Sequence, residues 1–127
     1  MLVLLAACGG KSRNDSGSAV DTDPEVVEDG ALEPISDDPL CTDAPIVTWA
    51  SWGEGFVIGA CRSCHSVNAI NRYGSPEDVN FDTREDVLVL SDRILARATG
   101  ESTTMPPQGG VLHADRAKLE IWLTCWE

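Results

Sequence analysis

The residues with the most chemistry in this chain stand together at Cys61-Arg62-Ser63-Cys64-His65. Two thiols three positions apart, followed at once by an imidazole, form the C-x-x-C-H pattern that attaches a c-type haem. Thiols at that spacing reach the two vinyl groups on one porphyrin edge, and the histidine falls under the iron. A second axial donor is then needed, and a histidine–methionine pair is the set used in electron carriers. The chain has two methionines, Met1 and Met105. Met105 is the one able to serve, and it precedes Pro106-Pro107. His113 is the alternative donor. Two other chemistries compete. Zinc would need further ligands from His65, His113, Cys41 or Cys125, but there is no second C-x-x-C and no H-x3–5-H pair. A dithiol redox pair needs strand–helix alternation around it, which the pattern lacks.

Several elements must position these groups. Thr48 reads as an N-cap, with Trp49, Trp52, Phe56 and Ala60 on one helical face leading into Cys61. Gly53, Gly55 and Gly59 weaken that helix and read as points of close approach. Residues 66–80 form a loop containing Tyr73, Gly74 and Pro76. Phe81 to Gly100 reads as one helix, opened by a Thr83-x-x-Asp86 capping box. Its apolar stripe is Val87, Leu90, Ile94, Leu95 and Ala98. Arg93 and Arg97 suit the negative end of its dipole, and Gly100 is its stop. Prolines and glycines then stiffen and turn the Met105 loop. A last helix runs from about His113 or Asp115 to near Cys125. Leu119, Trp122, Leu123 and Trp126 form its apolar face, Ile121 and Cys125 an adjoining row, and Arg116, Lys118 and Glu120 point outward.

Cys61-x-x-Cys64-His65 followed by Met105-Pro106-Pro107 resembles a small class I cytochrome c over residues 41–127. The resemblance implies an all-α domain of three to four helices around one covalent haem c. Cys61 and Cys64 would be thioether-linked, with His65 and Met105 as axial ligands. It implies that Gly53 meets an aromatic residue of the last helix, Trp122 being the candidate. The aromatic expected four residues before Cys61 is replaced by Val57, with Phe56 one position early. A carbonyl of the Ser75-Pro76 region would accept the His65 ring N–H, and Arg72 and Tyr73 would reach the haem propionates. The implied function is one-electron transfer with redox proteins of the cell envelope, not catalysis, because both axial positions are filled. A ligand-binding enzyme or sensor with a labile Met105, and a zinc-binding module, are the competing readings.

The rest of the chain bears on location. Formal net charge is −12, which argues against nucleic acid as a partner. Leu5-Ala6-Ala7-Cys8 resembles a bacterial lipobox, in which the cysteine is acylated. The apolar run before it is short and lacks a basic region, so upstream residues are expected. Lipidation at Cys8 would place the protein on the periplasmic side of a membrane, the compartment that haem attachment requires. Residues 1–8 are therefore read as signal and lipobox, and the protein as a monomer. Residues 9–40 hold nine of the 21 acidic residues and no aromatic, so they are expected to be a disordered acidic tether. Cys41 and Cys125 flank the remainder. In an oxidising compartment they are expected to pair; otherwise they are two buried thiols.

Overall fold

Thr48 opens the first helical segment because its hydroxyl accepts from the Ser51 amide while Ser51 Oγ accepts from the Thr48 amide. Two donors that a helix start would leave unpaired are satisfied reciprocally. The computed structural model describes residues 32–126, and every regular element among them is helical. The all-α expectation therefore holds for the described residues. The first turn, Trp49–Gly53, is wide and π-type; helix α1, Glu54–Ala60, continues from it. The aromatics of this segment divide between two neighbours. Trp49 packs on Trp122 with ring centroids 5.8 Å apart, whereas Trp52 stacks on Phe56 at 4.7 Å.

The stretch expected to be one helix over 81–100 is two: α2, Arg84–Val89, and α3, Ser91–Ala98. The Thr83–Asp86 capping box opens α2 as expected. Leu90 separates the helices with φ −111° and ψ 14°. Val87 is fully buried in the core, while Leu90 and Ile94 are partly buried against that core and also line a cavity.

Helix α4, His113–Cys125, buries Leu119, Trp122 and Leu123 against Val47, Val57, Val79, Phe81 and Val87. It passes the first segment at Gly53, where an added Cβ would lie 3.0 Å from the Trp122 ring. The expected glycine–aromatic contact is therefore present. Close approach does not explain Gly55 and Gly59, whose added Cβ would have nothing within 4 Å.

Cys41 and Cys125 form a disulfide across 84 residues of sequence, with both half-cystines buried. Closing so long a loop stabilises by roughly 4–5 kcal/mol on the chain-entropy estimate. The chain packs earlier than expected. Asp38 caps a 3-10 turn at Pro39–Cys41, and the Ile35 amide donates to the Cys125 carbonyl at 3.0 Å. Residues 35–40, read as tether, thus join the end of α4. Their exposed side chains hid this, because the tie is made by backbone and disulfide. Cys8 and tether residues 9–31 lie outside the described residues.

Gly53→Ala must displace a fully buried indole and is expected to cost about 1–3 kcal/mol in urea unfolding. Gly55→Ala, at an open helical position, is expected to be neutral or to stabilise by up to about 1 kcal/mol.

Candidate cofactor pocket

Helix α1 ends at Cys61, whose amide donates to the Val57 carbonyl at 3.0 Å. The chain then winds through tight turns, with the His65 amide on the Cys61 carbonyl at 3.0 Å. This winding brings Cys61, Cys64 and His65 onto one wall of a cavity, beside Phe56 and Ala60. Leu90, Ile94 and Ala98 supply further wall, and Met105 with Pro106 and Pro107 completes it. The cavity has a volume of about 230 Å³ and opens to solvent, and its wall is largely apolar.

The imidazole of His65 is held from behind. Its Nδ1 lies 3.1 Å from the Val79 carbonyl and 2.7 Å from Ser75 Oγ. In the tautomer that donates Nδ1–H to this carbonyl, which can only accept, the Nε2 lone pair is left for a metal. The Phe81 ring packs beside the imidazole at 4.9 Å. The expected acceptor was a carbonyl at Ser75-Pro76. The carbonyl belongs instead to Val79, and Ser75 contributes its hydroxyl.

Arg72 has a different task from the one expected. Its guanidinium donates to the carbonyls of Ser66 at 2.6 Å, Ser75 at 3.3 Å and Val79 at 3.0 Å, to that of Pro76, and to Asn80 Oδ1 at 2.8 Å. Its donors are consumed in folding the loop, and it does not line the cavity. Tyr73 is 79% exposed, has φ 49°, and lies outside the cavity too. Neither residue is placed to meet a group bound there.

The Met105 loop is fastened at both ends of its peptide. The Thr104 and Met105 amides donate to the Arg97 carbonyl at 2.8 and 3.0 Å, satisfying an acceptor at the end of α3. Arg116 Nη1 donates to the carbonyls of Ala98 at 2.7 Å and Met105 at 2.8 Å. Arg116, expected to point outward, thus turns in and lines the cavity. A signal existed: position 116 lies one turn before Leu119 and continues the buried stripe of α4. His113 is exposed at the start of α4 and does not line the cavity.

Two competing chemistries lose ground on this geometry. The disulfide takes Cys41 and Cys125 out of any zinc set, and among the described residues no three His, Cys, Asp or Glu side chains gather to hold a metal ion. Dithiol redox sites activate their thiol at a helix N-terminus. Here Cys61 ends a helix, and burial pushes its thiol up to about 11. No family model, curated protein or solved structure matches the chain. The reading rests on the residues themselves. Two thiols, an imidazole whose Nδ1 is engaged by Val79 and Ser75, and a thioether share one apolar cavity, a donor set that fits a covalently held haem.

Asp82 secures the turn after His65. Its carboxylate accepts from Ser66 Oγ at 2.6 Å and the Val67 amide at 2.8 Å, and pairs with Arg62 at 3.1 Å. These partners, the Ser66 hydroxyl foremost, hold its carboxyl below the ordinary 3.8. Asp82→Ala leaves the buried Ser66 hydroxyl without its acceptor and is expected to cost about 1–2 kcal/mol at pH 7. A carboxyl held low in the folded state stabilises above its unfolded value, and that contribution is lost as pH falls through the folded one. Urea unfolding should therefore show the gap between the two proteins narrowing below about pH 4.

Proposed function

We propose that this chain is a one-electron carrier resembling class I cytochromes c, with one haem c in the cavity between the Cys61–His65 turn and the Met105 loop. Cys61 and Cys64 would hold the ring through thioethers, and His65 Nε2 and Met105 sulfur would be its axial donors. The observation that carries this reading is the sharing of one apolar cavity by those four side chains. When bound, haem supplies reversible exchange between ferric and ferrous iron.

The chain's own residues set the terms of that exchange. Val79 and Ser75 orient the imidazole and raise its donor strength. The Met105 thioether favours the ferrous state and so a higher potential. Bonds from the Thr104 and Met105 amides to the Arg97 carbonyl, and from Arg116 to the Met105 carbonyl, hold its loop in place, as a weak sulfur donor requires. Apolar side chains of α1 and α3, Phe56, Ala60, Ile94 and Ala98 among them, would pack on the ring. With both axial positions filled there is no open place for a substrate, which favours a carrier over an enzyme. The location follows from the same reading: export to the periplasmic side of the bacterial envelope, a lipid anchor at Cys8, and redox proteins as partners.

Protein matured in a host with haem-attachment machinery should show, when ferric, the weak red absorption of sulfur-ligated iron. Met105→Ala should abolish that band, lower the potential and let the ferrous protein bind carbon monoxide. Ready carbon monoxide binding by the unsubstituted ferrous protein at neutral pH would instead favour a ligand-binding enzyme or sensor.

A further inference from the structure

The charged residues lining the cavity are three, and all are arginines: Arg93, Arg97 and Arg116. The chain as a whole has 21 acidic residues against nine basic ones, so this sorting runs against its composition. Arg116 is committed to the Ala98 and Met105 carbonyls. Arg93 and Arg97 are not so engaged. The ion pairs among the described residues join Arg62 to Asp82 and Arg84 to Glu85. Four positions apart on α3, Arg93 and Arg97 share one helix face, one turn from each other. Both are exposed as well as lining the cavity, so each borders the cavity and solvent at once. Two unpaired guanidinium groups beside an apolar space call for an apolar ligand with anionic groups along one edge, and carboxylates match the guanidinium fork.

We infer that Arg93 and Arg97 form a carboxylate-binding edge of the cavity and receive the two carboxylates of its occupant. The inference rests on the reading above, in which that occupant is haem and the carboxylates are its propionates. It gives α3 a recognition role beyond the helix-dipole role that the sequence offered for these arginines. The other titratable groups on the wall are Cys61, Cys64 and His65, which haem attachment would take out of titration.

The test uses the haem-loaded protein and its Arg93→Gln, Arg97→Gln and doubly substituted forms, with lysine at each position as the conservative replacement. Arg84→Gln, outside the cavity, is the control. Resonance Raman bands of propionate bending are expected to move in the glutamine forms and to return part-way with lysine. The proton affinity of the propionates, read from the pH profile of the ferrous-to-ferric ratio, should rise on the order of tenfold in the double variant. The control should change neither. Loaded variants whose bands and pH profile match the parent overturn the inference and leave the carrier reading intact. Parent protein without haem overturns both. If the glutamine forms fail to mature, the lysine forms and the parent decide: parent propionates that vibrate and titrate as in water overturn it.

Discussion

Irregular backbone can border an apolar cavity only if its carbonyl groups find donors, since an unpaired buried carbonyl costs about as much as a lost hydrogen bond. Two guanidinium groups meet that demand here. Arg72 gathers the carbonyls of the loop after His65, and Arg116 gathers those that flank the Met105 loop. Val79 shows the economy of the first arrangement. Its carbonyl accepts from Arg72 at 3.0 Å and faces His65 Nδ1 at 3.1 Å, so loop closure and imidazole orientation depend on one oxygen.

The scaffold behind these loops is small. Trp122 anchors it, meeting Gly53 on one side and Trp49 on another. The disulfide then ties the start of the compact part to the end of α4. Neither contact touches the cavity. Their role is to hold α1, which ends in the Cys61–His65 turn, against α4, which carries Arg116. In that sense the core fixes both walls on which the proposed cofactor chemistry relies.

Some of this was legible in the chain and some was not, for physical reasons. C-x-x-C-H is local, so its spacing alone names candidates for attachment. The contact of Gly53 with Trp122 was legible through the resemblance; a glycine in a helical stretch does not by itself announce one, since an added Cβ at Gly55 or Gly59 would meet nothing within 4 Å. The Thr83–Asp86 box was legible because capping acts over three residues. The break at Leu90 had no glycine or proline to announce it. The place of Arg116 on the α4 stripe pointed it inward, but the carbonyls that it and Arg72 bind depend on which ones the folded loops leave open, and no residue pattern encodes that. Their reversal is instructive. The arginine assigned to the cofactor folds a loop, and the one assigned to solvent lines the cavity.

The central claim is that Cys61 and Cys64 hold a haem through two thioethers, and a pyridine haemochrome spectrum tests it most directly. Protein exported by a host competent in haem attachment should give the spectrum of a doubly thioether-linked haem, one per chain, that survives denaturation and extraction with acidified solvent. Colourless protein from the same host, or a haem that extraction removes, would contradict the account.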